Sequence, residues 1–320
     1  MTETQILIET VLQALAAGLF VGAIYGLMCA GLSLIFGIMR VINFAQGDFM
    51  MLGMYAVYFF LIVFGIQALV GNTVSPYIAV VAMAPLLYLF GWAVHRFLIS
   101  QVTGIRTTGM EAEGHYAQLV LTLGIALVLH NGAMILFGPE LVSVDTPLSS
   151  SAWVLGPLWG DGVLLFLNKA RIVSAVISAA IVVGLWYVLK TSRLGKSLRA
   201  AADNPQASIY VGNDVDRSYR TAFALGTMIT AMAGGLLTTN YPFHPFVGLE
   251  YVVLMYAGVV LGGIGSVIGA FWGGMTIGLI QQFSTIILPT QLQNATIFVV
   301  FLLIVILRPQ GFFGRSVERT

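Results

Sequence analysis

Apolar residues run along this chain in long continuous blocks separated by short polar or glycine-rich intervals. Clear blocks are Thr10–Ile38, Phe49–Gly65, Pro76–Phe97, Leu119–Phe137, Ile172–Leu189 and Thr221–Thr238. Each approaches or exceeds the roughly 20 residues a helix needs to cross a bilayer. The last apolar region, Tyr251–Leu307, is broken at Gly262–Gly265 and again near Pro289–Asn294, so three segments fit there, the first of them short. The runs are continuous and lack period-two alternation, which favours helices over a membrane barrel as the spanning element. The pattern predicts an all-α, polytopic membrane helix bundle with about nine crossings, in the range of eight to ten. Residues 1–320 form one transmembrane domain, and 190–220 is its one long polar stretch on the side that carries the basic residues.

Composition sharpens this picture. Hydrophobic residues make up 58% of the 320 and charged residues only 8%, with 14 Lys+Arg and 13 Asp+Glu. A soluble domain carries about 25% charged residues, so this chain cannot cover a core of its size with a polar surface. A soluble enzyme, a disordered chain and a nucleic-acid binder are excluded, and a net charge of +1 gives no global field for an anionic polymer. Cys29, the single cysteine, has no intrachain partner. No Lys or Arg precedes Arg40, while Glu3 and Glu9 do; without a basic leader region the first apolar block is expected to stay as a membrane helix.

The basic residues set an orientation. With the N-terminus outside and nine crossings, twelve of the fourteen face the cytoplasm, from Arg40 to Arg319, and only Lys169 and Arg171 face out. The positive-inside rule therefore predicts N-out and C-in. The longest external stretch is Gly138–Ala170, which holds Trp153, Trp159 and the apolar run Val163–Leu167. It reads either as an ordered loop on the membrane surface or as a platform for an external partner.

The polar stretch Lys190–Arg220 has internal order that lipid contact by its basic residues does not explain. Leu194–Ala202 reads as a short helix. Asp203 and Asn204 are capping types, Pro205 suits a first helical position, and Gly212 suits a left-handed stop. Two short helices with a sharp turn at Asp203–Pro205, faced with alanine and a few aliphatics, are suited to sit in a groove of another protein.

At this point a resemblance becomes specific. The stretch Leu194-Gly-Lys-Ser-Leu-Arg-Ala-Ala-Ala-Asp-Asn-Pro-Gln-Ala-Ser-Ile-Tyr-Val-Gly-Asn-Asp-Val-Asp-Arg217 resembles the coupling loop of ABC importer permeases for branched-chain amino acids, in their LivH-type subunit. Gly31–Tyr55, Val260–Phe271 and the ending Arg308–Gly314 are similar to other signatures of that family, in the same order along the chain. Gln46 stands where the family commonly has His, and Asp48 where it commonly has Glu; either change bears on substrate choice. The resemblance implies a permease with no ATP site of its own. It implies two cytoplasmic ATPase subunits that hold ATP and Mg, a second and non-identical permease subunit, and an external solute-binding protein. Carried over to this loop, Gly195, Arg199, Ala200, Asp203, Pro205, Ala207 and Gly212 would form the ATPase contact. The location implied is the bacterial inner membrane, in contact with its lipid.

Other residues suit packing or pathway roles. Gly265, Gly269 and Gly273 recur every four residues, as do Gly274 and Gly278, which suits close helix packing in lipid. Gly262-Gly-Ile-Gly-Ser266 lacks the lysine of a phosphate loop and has the wrong spacing for a dinucleotide fold; Gly262, Gly263 and Gly265 also suit a helix break lining a pathway. Asp48 and Glu250 each precede an apolar run of similar text, which an inverted repeat would produce, with both acids at helix starts and at span ends. Asn43, Gln46, Thr122, His130, Asn131, Gln281, Gln282 and Ser284 are the other polar groups at membrane depth, His130 towards an outer end. No metal cluster or catalytic constellation can be assembled. The expected function is uptake of branched-chain or other apolar amino acids. Urea or short amides within the same family, and an ion-coupled secondary transporter or channel, are the alternatives; the last would want a carboxylate buried mid-span.

Overall fold

The computed structural model describes residues 3–102, 111–158, 163–289, 292–307 and 311. Thirteen helices and one strand pair make up these residues: α1 (Glu3–Met39), α2 (Gln46–Phe64), α3 (Ile66–Val70), α4 (Ser75–Val94), α5 (Ser100–Val102), α6 (Glu111–Phe137), β1 (Ala152–Leu158), β2 (Val163–Asn168), α7 (Lys169–Thr191), α8 (Arg193–Asp203), α9 (Pro205–Tyr210), α10 (Val215–Leu237), α11 (Val247–Gly262), α12 (Val267–Ile287) and α13 (Gln293–Leu307). One π turn, His95–Ile99, joins α4 to α5. Among the described residues six helical stretches are long and apolar enough to cross a membrane, or seven if the bent pair α11–α12 is one span. α11 and α12 meet at a bend of 119°, and α13 is a shorter apolar helix. The three C-terminal segments and both breaks fall where the hydrophobic pattern places them.

Contacts between helices fix their directions. α1 runs against α12, pairing Gly18 with Leu279, Gly22 with Met275, Gly26 with Phe271 and Gly37 with Gly265. It also runs against α10, with Gly31 on Gly226 and Thr230. It runs alongside α11, through the edge-to-face pair Tyr25–Tyr251 at 5.8 Å and the Cys29 thiol on the Met255 carbonyl. α2 runs with α10, since Gln46 reaches Thr230 and Val57 packs on Gly235. α4 runs against α10, with Gly91 on Thr227. α6 runs with α2, touching it from Asp48–His130 to Tyr55–Phe137. Among the described residues, nine helical segments thus alternate in direction. Glu3 and Gly311 lie at opposite ends, Gly311 against Val260 and Gly263.

One end carries Arg40, Arg96, Lys190, Arg193, Lys196, Arg199, Arg217 and Arg220; the other carries Lys169 and Arg171. The remaining four basic residues, Arg106, Arg308, Arg315 and Arg319, lie outside the described residues. The asymmetry read from the sequence is therefore a property of the folded bundle.

Glycine lets backbone meet backbone in lipid, where packing replaces the hydrophobic drive as the source of helix association. The α11–α12 hairpin closes on Gly258, Gly262, Gly269 and Gly273. A Cβ on Gly273 would stand 2.0 Å from the Gly258 carbonyl oxygen, and one on Gly262 would stand 2.0 Å from that of Gly269. At the bend Gly263 and Gly265 hold φ of 97° and 84°, the left-handed region that side chains resist. Gly262, Gly263, Gly265, Gly269 and Gly273 therefore build one hairpin.

The all-α expectation departs from the structure at one place. β1 and β2 form an antiparallel hairpin within the loop Gly138–Ala170, pairing Ala152 with Asn168 and Trp153 with Leu167. The edge of β2 is met by a side chain of α1: Gln13 Nε2 donates to the Phe166 carbonyl at 3.0 Å, and the Phe166 N–H donates to Gln13 Oε1 at 3.3 Å. Trp153 is exposed on this hairpin, and Trp159 lies outside the described residues.

Gly273→Leu should destabilise the bundle by about 3 kcal/mol through overpacking, read as a drop in thermal midpoint and loss of a monodisperse peak in detergent. Ile268→Leu, on the exposed face of the same helix, should leave both unchanged.

Candidate functional site

Two regions hold the residues singled out in the sequence. The first is the elbow α8–α9 at the basic end. α7 ends at Thr191, and Ser192 caps α8 by accepting from the Gly195 N–H at 3.0 Å. A Cβ on Gly195 would stand 2.0 Å from the Leu189 carbonyl oxygen, so glycine is what lets α8 fold back against the end of α7. Arg199 donates its guanidinium to the same Leu189 carbonyl, closing that corner with a charged cap. Gly195, Leu198 and Ala201 form the buried stripe of α8.

The turn follows as the residue types dictate. Asn204 Oδ1 accepts from the Ala207 N–H at 2.9 Å, and Pro205 occupies the first helical position of α9. Asn204 is the cap, while Asp203 is the last residue of α8 and exposed. Gly212 ends α9 with φ of 83°. Ala200, Ala207 and Gly212 are exposed as well, and Pro205 is half-buried. Leu194, Ile209, Tyr210 and Val211 add exposed apolar surface, Tyr210 at 89%.

Sequence reasoning missed the group that holds the elbow in shape. Asn213 donates to Ser208 Oγ at 2.7 Å and to the Ser197 carbonyl at 3.1 Å, and it accepts from the Ser197 hydroxyl. Ser197 also meets Ser218 Oγ at 3.1 Å, and Asp214 caps α10 by accepting from the Arg217 N–H at 2.9 Å. Both short helices are thereby tied to α10. The run Asn213-Asp214 before Val215 was the available signal, because both are N-cap types.

The second region is the start of α2. The chain turns back at Arg40, the one described non-glycine residue with positive φ (55°), and re-enters the bundle. Asn43 Nδ2 donates to Gln46 Oε1 at 2.8 Å, and the Ala45 N–H donates to Asn43 Oδ1 at 3.2 Å. Gln46 Nε2 donates to Thr230 Oγ1 at 2.6 Å and to the Gly226 carbonyl at 3.3 Å. Gln46 is 0% exposed, and its amide pins α2 to the middle of α10. The Gln46 carboxamide thus accepts from Asn43 with its oxygen while its nitrogen donates to α10.

Asp48 is 1% exposed and stands in the first turn of α2. Its Oδ1 lies 3.4 Å from His130 Nδ1 on α6, and neither atom has another partner. The His130 ring also packs on Phe246, the residue that precedes α11, at 5.2 Å. Thr122, two turns earlier on α6, meets the Ile42 carbonyl and the Phe44 N–H, both at 3.3 Å.

The placement of Asp48 and Glu250 at span ends is corrected here. α2 and α11 begin against each other: a Cβ on Gly47 would stand 2.0 Å from the Gly248 carbonyl oxygen. The two helices then run in opposite directions, as an inverted repeat requires, but their starts lie inside the bundle. Tyr251 packs on Tyr25, which is twelve residues of α1 from Gln13 at the hairpin end and twelve from Gly37 at the other bend. That is roughly 18 Å of helix rise each way. The short returning segment 40–45 carries α2 to half depth, a feature hydropathy cannot register. A carboxylate facing hydrocarbon at such depth costs about 3 kcal/mol or more. The condition set for an ion-coupled transporter, a buried mid-span carboxylate, is thus met by Asp48, and hydropathy alone no longer argues against that alternative.

At the end away from the elbow, a recess of about 700 Å³ is lined by Asn72, Asp145, Thr146, Ser149, Thr239 and Tyr241 among others. Burial pushes the Tyr241 hydroxyl up from its usual range, and the Arg171 guanidinium 5.7 Å from its ring centre acts the other way.

The family described as "Branched-chain amino acid transport system / permease component" matches residues 14–307. The high-affinity branched-chain amino acid transport system permease protein BraD of Pseudomonas aeruginosa is 27% identical over 95% of this chain and 96% of its own. The corresponding protein LivH of Escherichia coli K12 is 25% identical over the same shares. A ribose import permease protein, RbsC of Haemophilus influenzae, is 26% identical over 67% of this chain and 64% of its own. No solved structure matches. With the match running from within α1 to the end of α13 and through the elbow, the chain belongs to the family of permease components of branched-chain amino acid transport systems.

Proposed function

We propose that this chain is the translocating subunit of an ATP-driven importer for branched-chain or other apolar amino acids, working with an external binding protein, a second permease subunit and two cytoplasmic ATPase subunits. Membership in the permease family, across residues 14–307, carries the reading. The elbow gives it a mechanism. α8 and α9 are each capped, tied to α10 through Asn213, and joined to the end of α7 through Arg199. A load applied to α8 and α9 therefore reaches two spanning helices as one rigid unit. ATP-driven closure of the ATPases would move this unit and rock the bundle between outward- and inward-open arrangements. Arg199, Ala200, Ala207 and Gly212, all exposed, supply the surface; Gly195, Asp203 and Pro205 shape it.

ATP and its Mg belong to the partner subunits in this reading. The basic end faces the cytoplasm, as eight described basic residues against two support. The first helix then starts outside, and the recess beside Tyr241 faces the binding protein.

Three outcomes check the reading. In proteoliposomes holding the complete assembly, leucine uptake should require both ATP and the ATPase subunits; uptake driven by an ion gradient alone would overturn it. Arg199→Glu combined with Ala200→Trp should abolish co-purification of the ATPases and reduce uptake at least about a hundredfold, the scale of losing a buried charge contact. A thiol placed at Ser150 should react with an impermeant maleimide in intact cells, and one at Lys196 only after lysis. The reverse pattern would invert the orientation.

A further inference from the structure

Among the described acidic residues, Asp48 and Glu250 are the two at half depth. Asp48 faces His130 and is buried. Glu250 is different: it is exposed on the surface of the bundle, flanked by the exposed Leu249 and Val253. Among the described residues the one Arg–carboxylate salt bridge is Asp216–Arg220, and His130 lies beside Asp48, so Glu250 has no cation beside it. Its depth is fixed twice over. The adjacent Tyr251 packs on Tyr25, which lies twelve residues of α1 from Gln13 at the hairpin and twelve from Gly37 at the other bend. Gly248, two residues earlier, touches Gly47, whose neighbour Gln46 is bonded to Gly226 and Thr230 in the middle of α10.

Carboxylates do not face acyl chains at that depth; in membrane proteins they face a bundle interior, a partner or water. The face bearing Glu250 is therefore not a lipid face. Its position also selects the ligand. Glu250 stands beside the Gly47–Gly248 contact where α2 and α11 begin, so it sits between elements that shift against each other when the bundle rocks. A solute crossing there meets one anionic group amid apolar side chains, Leu249 and Val253. That combination matches an α-amino acid with an aliphatic side chain, whose ammonium pairs with the carboxylate.

We infer that Glu250 lines the water-filled translocation pathway at half depth and pairs with the ammonium group of the amino acid in transit. This assignment rests on the importer reading. Pairing at this point is a single charge contact, so it orders the solute without trapping it, and release follows when the flanking helices separate. The same contact favours solutes with a free ammonium over neutral amides of equal size.

The test uses the complete assembly in proteoliposomes with leucine as the probe solute. Glu250→Cys should be modified by the impermeant cation trimethylammonioethyl methanethiosulfonate in at least one state of the ATP cycle, and leucine-loaded binding protein should slow that modification. The native Cys29, buried and bonded to the Met255 carbonyl, supplies an unreactive background within this chain, and modification is read on this subunit alone. Glu250→Gln should lower leucine uptake by about tenfold or more, and Glu250→Asp should restore part of it, which a packing role would not produce. A thiol at 250 that stays unmodified in every state overturns the assignment. So does a Glu250→Gln complex that transports normally, or one that fails only because the two permease subunits come apart. Absence of ATP-driven leucine uptake by the unsubstituted complex is a separate result: it removes the importer reading, and with it the amino acid as ligand.

Discussion

Backbone polar groups have no water to turn to inside a bilayer, and this constraint governs how the bundle is put together. Wherever a helix is interrupted at depth, its free N–H and carbonyl groups must be answered by protein. At the start of α2 the answer is a closed set of side-chain amides and hydroxyls: Asn43 answers the Ala45 N–H, Gln46 answers Asn43, and Thr230 answers Gln46. At the bend between α11 and α12, Ser266 caps α12 through the Gly269 N–H at 3.0 Å. The glycines do the rest by letting whole helices approach closely enough that no lipid enters between them. A central helix such as α1, buried along most of its second half, is possible only because its neighbours come so near.

Function follows from where that constraint is relaxed. The elbow lies outside the apolar zone and can therefore be short, polar and exposed. Its stiffness comes from caps and from Asn213 together with the buried stripe of α8. At half depth the opposite holds, since every polar group there must be satisfied or hydrated. Asp48 lies beside His130, Gln46 is bonded to α10, and among the described residues Glu250 meets no cation. The contrast between these three neighbours separates structural polar residues from one that faces a pathway.

Much of the fold was legible in the chain. Block lengths and the glycine and proline breaks located all nine segments, and Asn204-Pro205 with Gly212 located the elbow. What stayed hidden has physical causes. The strand pair within 152–168 escaped because Val163–Leu167 is apolar on both faces, leaving no alternation to detect. The depth of Asp48 escaped because hydropathy measures segment length and cannot see a chain that turns back at Arg40. His130 was legible as a polar residue in a span, but its partner lies 82 positions away in sequence, and distance of that kind is set by packing alone.

The edge of β2 carries a consequence for assembly. A strand edge with open peptide groups invites pairing by any extended segment that approaches. Here the carboxamide of Gln13 occupies both groups of Phe166 and stands in for a third strand. A soluble protein arriving at this face cannot add a strand at that position. In the importer proposed above, recognition there would come from contour and from side chains, contacts that part readily when a carrier docks, unloads and leaves.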